Sequence, residues 1–223
     1  PVNFNNITAT DSQSLDKSLN KVTYEPRLFA RYDLTSFWKI SSFAGMSYSF
    51  GSINDIYGSY ILLSARNITK KDTDIQQNKS QFVGSALEYR NPLNNIFFNV
   101  RYNFNQTDKN ILFSYTQDPS NQQNIVEGLN IDNTAKTNSV RTELGKYFPK
   151  FKTNASVSYN YSINNFQQLT NNVLNNVESQ NQGYSVKFNN NYFSWLSVDY
   201  NASWAKSLNK TFNNKINSFN HTL

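Results

Sequence analysis

Alternation of apolar and polar residues is the dominant pattern along this chain. In the clearest example, alternate positions from Trp38 to Phe50 are apolar or aromatic in six of seven cases, and none is charged. The same period-two pattern recurs over 96–104, 153–163 and 196–204. Because successive side chains of a β-strand point to opposite faces, this period indicates strands with one apolar face. Helical periodicity is weak throughout, so the sequence predicts an all-β fold.

Short and long connections alternate between these segments. A shorter alternating segment precedes each of the four, across short turns near 35–36, 91–94, 148–150 and 190–191. The other connections are long and polar, and they cover 51–79, 106–137, 165–181 and 206–214. This order predicts β-hairpins and an antiparallel up-and-down sheet of about eight strands, with a partial ninth at about 215–223. Residues 1–19 are interpreted as a loop or linker.

The hairpins give specific register predictions. The expected cross-strand neighbours are Ala30 with Ser42, Leu87 with Phe98, Thr142 with Ala155, and Val186 with Val198. Each is expected to hold within about two positions, because strand boundaries are the least reliable part of a sequence-based assignment.

Strand length and aromatic placement favour a transmembrane barrel. The twelve steps from Trp38 to Phe50 span roughly 40 Å, and a tilt of about 40° leaves a rise of roughly 30 Å. Aromatic residues cluster near both ends of the alternating segments, whereas smaller ones such as Ala44, Val100 and Val157 occupy the middles. Aromatic girdles around an aliphatic, charge-free band are typical of outer-membrane barrels, as are short turns opposite long loops.

Composition excludes several kinds of chemistry. The 223 residues include no Cys and one His, which excludes a disulfide framework, a His-dependent triad and a multi-His metal site. The glutamates are scattered without a catalytic spacing, so we expect no enzyme activity, no cofactor and no metal. The net charge is +6, but the aromatic and basic residues occupy different faces. Single-strand nucleic-acid sites combine them on one face, so no nucleic-acid partner is expected.

The polar faces of the predicted strands hold the candidate ligand-binding residues. Lumen-facing candidates are Arg31, Lys39, Arg101, Arg141, Glu143, Lys187 and Asp199. They would line a lumen that contacts a ligand or a plug, or they would form a hydrated wall without a specific ligand. Basic residues outnumber acidic ones on these faces, which mildly favours an anionic solute.

Several segments resemble a known family. Glu25-Pro26-Arg27-Leu28 leads into a hairpin that ends in FAG-x-SYSFG, residues 87–93 lead into Phe97-Phe98-Asn99, and residues 217–223 read as the opening of another strand. Together, over residues 20–223, they resemble the β-barrel of TonB-dependent outer-membrane receptors of the Bacteroidetes type.

The resemblance implies a barrel of about 22 strands around an N-terminal plug, in the outer membrane of a Gram-negative bacterium. It implies energised uptake of a siderophore, vitamin, glycan or peptide. The implied partners are outer-membrane lipid and, through the full-length protein, a TonB complex and a surface lipoprotein. This sequence shows no plug-like segment, TonB box or terminal aromatic strand, so we expect it to be a segment of a larger barrel.

Two other functions remain open at this stage. One is a passive porin-like or structural outer-membrane barrel. A plug and a TonB box upstream would indicate the receptor instead of this barrel. The other is a secreted β-rich adhesin or glycan-binding domain. In that case Ala44 and Val157 would lie in a water-excluded core.

Overall fold

The computed structural model describes residues 1–10, 16–51, 60–64, 66–70, 73–117, 123–193 and 195–222. Its strands are β1 (Val2–Thr10), β2 (Asp16–Tyr24), β3 (Arg27–Asp33), β4 (Trp38–Phe50), β5 (Ile61–Ser64), β6 (Asn67–Lys70), β7 (Gln77–Asn91), β8 (Ile96–Lys109), β9 (Leu112–Gln117), β10 (Asn124–Leu129), β11 (Asn133–Phe148), β12 (Thr153–Thr170), β13 (Val173–Phe193), β14 (Leu196–Asn209) and β15 (Asn214–Thr222). Over these ranges, no helix is both long and apolar enough to traverse a membrane.

Nine strands form one antiparallel meander in the order β3-β4-β7-β8-β11-β12-β13-β14-β15. The all-β, antiparallel up-and-down architecture predicted from the alternation is therefore confirmed. Within the described residues, β3 and β15 each have one hydrogen-bonded neighbour, and no pairing closes the sheet into a barrel. The meander is an open sheet with two free edges.

The two longest connections contain strands of their own. The β9–β10 and β5–β6 hairpins join through a parallel β10–β6 pairing. This group attaches to the meander where Leu169 and Thr170 of β12 pair with Ser114 and Tyr115 of β9. The end of the sheet with long connections therefore carries an ordered extension, whereas the opposite end has only short turns.

The prediction that residues 1–19 form a loop is wrong. β1 and β2 pair antiparallel over their whole length as a separate hairpin. Ile7 and Leu19 of this hairpin pack against the buried Ile75, and Lys21 Nζ donates to Gln77 Oε1 at 2.5 Å. Asn and Thr interrupt the apolar alternation of β1, so its sequence lacks the pattern that identified the other strands.

The register predictions are confirmed for the first two hairpins. Ala30 pairs with Ser42, and Leu87 pairs with Val100, two positions from Phe98. The predicted turn at 35–36 lies between the last pair of its hairpin, Asp33 and Lys39, whereas the predicted turn at 91–94 begins at Asn91, which still pairs with Ile96.

The other two registers are wrong by four residues. Thr142 pairs with Tyr159 instead of Ala155, and Val186 pairs with Ala202 instead of Val198. The β11–β12 turn lies later than predicted, because a 3₁₀ turn over Pro149–Phe151 follows the last paired residue of β11. Likewise β13 continues through 190–191, and its last pair before the turn is Phe193 with Leu196.

The predicted loop over 165–181 is also wrong, because β12 and β13 continue through it as a hairpin. Only Asn171 and Asn172 separate the two strands, with φ angles of 49° and 62°. Positive φ at both central residues is the requirement of a type I′ turn, which matches the twist of antiparallel strands, and Asn tolerates this conformation.

Three phenylalanines on the polar face of the sheet lie over glycines of the neighbouring strand, and Phe82 over Gly45 is one of them. A Cβ atom added to Gly84 would be 2.4 Å from Phe43 Cζ, and one added to Gly145 would be 2.1 Å from Phe97 Cζ. Each Phe is directly opposite its glycine in the ladder. The rings therefore fill the volume left by the missing side chains and cover the exposed backbone.

Candidate functional site

One face of the meander is apolar across all of its central strands. Residues directly opposite each other in a ladder lie on the same face. The row of paired residues that starts at Trp38 runs through Tyr89, Phe98, Leu144, Val157, Val186 and Ala202. Every member of this row is apolar or aromatic, so we call this side of the sheet the apolar face.

The short turns are staggered regularly relative to this row. The row meets β4 at its first residue, Trp38, but it meets β8 two residues after Ile96 and β12 four residues after Thr153. On β14 it passes Ala202, six residues after Leu196. Each successive strand is therefore displaced by one residue relative to this row. One residue rises about 3.3 Å along a strand and neighbouring strands are about 4.8 Å apart, so strands tilted by about 35° have their short turns at one level. Barrel walls have tilts in this range.

Measured from the short turns, the apolar face ends at the same height on five of its seven strands. We define the apolar belt as the apolar-face positions up to eight residues from each turn. They are alternate positions of 38–46, 83–91, 96–104, 140–148, 153–161, 184–190 and 196–204. Eight steps at a tilt of about 35° give a height of about 22 Å, close to the apolar band of about 25 Å in outer-membrane barrels.

The belt ends sharply towards the long connections. The next apolar-face residue on each strand is polar or charged in five of seven cases: Tyr48, Gln81, Gln106, Asn138, Ile163, Gln182 and Lys206. The end of the apolar face therefore shifts by one residue per strand, as the short turns do, and it does not coincide with a single row of paired residues.

At the depth of the belt, almost all charged residues lie on the face opposite the belt. Among the described belt positions, Lys146 is the one charged residue, and its Nζ lies 5.3 Å from the centroid of the Phe148 ring. It is two residues from the β11–β12 turn, so its long side chain can reach water. The opposite face at this depth, which we call the polar wall, carries Arg27, Arg31, Asp33, Lys39, Glu88, Arg90, Arg101, Arg141, Glu143, Lys187 and Asp199.

The belt is not covered by other parts of the described structure. Leu144, Val157 and Tyr184 are 52%, 53% and 50% exposed. Ala44 is only partly buried, and the few buried apolar side chains lie mostly outside the belt. A soluble β-sandwich would place these residues between two packed sheets, and the described residues contain no such second layer over the belt.

All seven candidate residues predicted from the sequence lie on the polar wall. Arg101 and Arg141 are directly opposite each other, and Glu143 lies two positions along β11. Lys39 is opposite Asp33 and Glu88. The structure therefore brings Arg101, Arg141 and Glu143 together at the centre of the sheet, whereas Lys39 lies nearer its β3 edge.

The remaining candidates lie on either side of this centre. Arg31 on β3 has its Nε 3.8 Å from Asp33 Oδ1. Lys187 is opposite Ser156 and Asn201, and Asp199 accepts a hydrogen bond from Asn189 Nδ2. No single cluster contains all seven residues.

Sequence reasoning missed Arg27 and Arg90, which share the polar wall with the candidates. Arg27 is four residues from Arg31 on β3, and Arg90 is two residues from Glu88 on β7, so each lies on the same face as that residue. Alternation was therefore the signal that could have found both.

A polar cavity of about 1040 Å³ lies beyond the belt at the long-connection end. Its lining includes Lys21 from β2, Lys79, Lys136, Asp108 and Glu178. These side chains give the cavity charges of both signs, outside the apolar band.

Both of the cavity carboxylates named above already have partners within the protein. Thr134 Oγ1 and Gln106 Nε2 donate to Asp108 at 2.9 and 3.2 Å. Lys210 Nζ lies 2.7 Å from Glu178 Oε1, and hydrogen bonds from Lys210 and Gln180 lower the pKa of Glu178. In the described residues, no three His, Cys, Asp or Glu side chains are arranged to hold a metal ion.

No protein-family model matches this chain, and comparisons with curated proteins and with solved structures give no significant match.

Proposed function

We propose that this chain forms part of the wall of an outer-membrane β-barrel, with its apolar belt against lipid and its polar wall towards an aqueous lumen. The belt boundary carries the proposal, because one tilt ends the apolar face of five of the seven strands at the same height of about 22 Å above the short turns. A hydrocarbon layer imposes such a common boundary, whereas the core of a soluble sandwich has no reason to end at one level.

The free edges favour a larger barrel than this sheet alone. β3 and β15 each leave backbone groups unpaired along one side in the described structure. Unsatisfied backbone groups cost several kcal/mol each in lipid, so a membrane sheet must close. Additional strands that pair with β3 and β15 would complete the barrel, consistent with the barrel of about 22 strands that the family resemblance implies.

Within this barrel, the proposed role is energised nutrient import of the TonB-dependent receptor type, without enzyme activity. The resemblance in residues 20–223 supports this role, as does a polar wall rich in hydrogen-bonding and charged groups. The partners would be outer-membrane lipid, a TonB complex, a surface lipoprotein and a nutrient, and the location would be a Gram-negative outer membrane. A passive porin is the competing proposal, since the same wall would serve it.

Spin labelling tests the membrane placement, and these 223 residues contain no Cys that would compete for the label. We expect a label at Val157→Cys in liposomes to be accessible to oxygen and protected from a water-soluble nickel reagent. A label at Ser158→Cys should show the opposite preference, because adjacent residues of a strand lie on opposite faces. Val186→Cys and Ser185→Cys on β13 form the matched control pair. Equal accessibility at both positions of each pair would contradict the proposal.

Uptake by cells that carry the full-length protein separates the two transport mechanisms. With a labelled ferric siderophore, cobalamin and a labelled oligosaccharide as probes, we expect uptake of at least one to exceed that of cells lacking the protein. A protonophore should abolish this excess, because TonB-type import consumes the proton gradient. Excess uptake that persists with the protonophore would favour a passive porin and contradict energised import.

A further inference from the structure

Arg101 and Arg141 face each other directly across the β8–β11 ladder at the centre of the polar wall. Their Cβ atoms are therefore about 4.5–5.5 Å apart, and like charges at directly opposite positions destabilise a sheet. Both side chains are exposed. Within the described ranges, neither guanidinium forms an ion pair or a hydrogen bond.

Two carboxylates lie near this pair without forming an ion pair with it. In the same row, the neighbours on either side are Ala86 and Asn160. The adjacent row contains Glu88, Asn99 and Glu143, and among the described residues neither glutamate forms an ion pair with either arginine. The two guanidinium groups are therefore left with donors for a further anion.

We propose that Arg101 and Arg141 form a binding site for the carboxylate or phosphate group of a solute. The planar donor forks of two guanidinium groups match the oxygen pairs of these anions and bind them more strongly than neutral donors do. A bound anion would also remove the repulsion between the two arginines. Both residues lie at the depth of the belt on the opposite face, so the site rests on the proposed function for its access from a lumen.

The test measures thermal unfolding of the full-length protein in a maltoside detergent, which carries no phosphate. We expect inorganic phosphate to raise Tm in a saturable manner relative to chloride at the same ionic strength, since a ligand that binds only the folded state stabilises it. Arg101→Gln and Arg141→Gln should each lose this rise. Arg90→Gln should keep it, because it removes a guanidinium from the same wall four residues along the ladder from the pair.

A second variant replaces the ligand with a protein charge. Arg141→Glu places opposite charges across the ladder, so we expect a higher Tm than wild type without phosphate and no further rise with it. A wild-type protein that does not respond to phosphate would overturn the site. So would an Arg101→Gln/Arg141→Gln double variant that responds as strongly as wild type, because that result would indicate general ion effects.

The same protein separates failure of the site from failure of the proposed function. The spin labels at Val157→Cys and Ser158→Cys report membrane placement without involving either arginine. A phosphate response together with equal label accessibility would support the anion site and reject the lumen. Opposite label preferences without a phosphate response would reject the anion site alone.

Discussion

Replacing Val157 by Lys is expected to destabilise the membrane-inserted protein by about 2–4 kcal/mol. Val157 lies four residues after the start of β12, in the middle of the belt, between Leu144 and Val186 on the neighbouring strands. Its side chain is 53% exposed, so in the proposed barrel the substituted ammonium group would meet hydrocarbon instead of protein. The measurement is urea unfolding of the full-length protein from liposomes.

Two control substitutions show how the loss of stability depends on the depth of the residue in the belt and on the face of the strand. Ser158→Lys lies next to Val157 on the polar wall, opposite Glu143 and Ser185, so little change is expected. Leu196→Lys lies on the belt side, at the first residue of β14, where the cost should fall to about 0–1 kcal/mol near the interface. A cost for Val157→Lys no larger than for either control would mean that the belt does not contact hydrocarbon.

Alternation was sufficient to predict the faces of the central strands. Each of the seven candidate residues, from Arg31 on β3 to Asp199 on β14, lies on the polar wall as its parity required. The prediction succeeded there because each of these strands has an apolar and a polar side, which makes the period visible in one sequence. The tilt added by the structure then shows that these faces end at a common height on five of the seven strands.

The strands beyond the belt could not be recognised in the same way. Residues 165–170 and 173–181 mix Asn and Gln with apolar residues on both faces, yet they pair as one long hairpin. When polar and apolar residues are mixed on both faces, no period distinguishes a strand from a loop, so cross-strand hydrogen bonding decides the structure. β1 and β2 were missed for the same reason, since polar residues occupy positions on both faces of each strand.

The opposition of Arg101 and Arg141 required a register that the sequence does not encode locally. A short turn links β7 to β8, and its position predicted that register to within two residues. By contrast, β8 and β11 are separated by residues 110–132, so no turn geometry determines which of their residues face each other. The candidate site was therefore predictable as a face, and its central pair was visible only in the structure.

Replacing Gly145 by Val is expected to lower the free energy of unfolding by about 1–3 kcal/mol, the usual cost of overpacking. An added Cβ would lie 2.1 Å from Phe97 Cζ, so the ring would have to leave the position in which it covers the β11 backbone. Urea unfolding in liposomes measures the loss. Adding Phe97→Ala to Gly145→Val should recover part of it, because the smaller side chain removes the clash.

Gly183→Val is the matched control for this substitution. An added Cβ at Gly183 would approach the Asn160 side-chain amide, with Oδ1 at 2.6 Å. That amide can rotate away, whereas the Phe97 ring is bulky and fills the space over its glycine, so the Gly183 variant should lose less stability. Equal losses at the two glycines, or no recovery with Phe97→Ala, would show that backbone conformation and not ring packing limits these positions. The pairing of each ring with a glycine would then be a consequence of the sheet geometry and would contribute little to its stability.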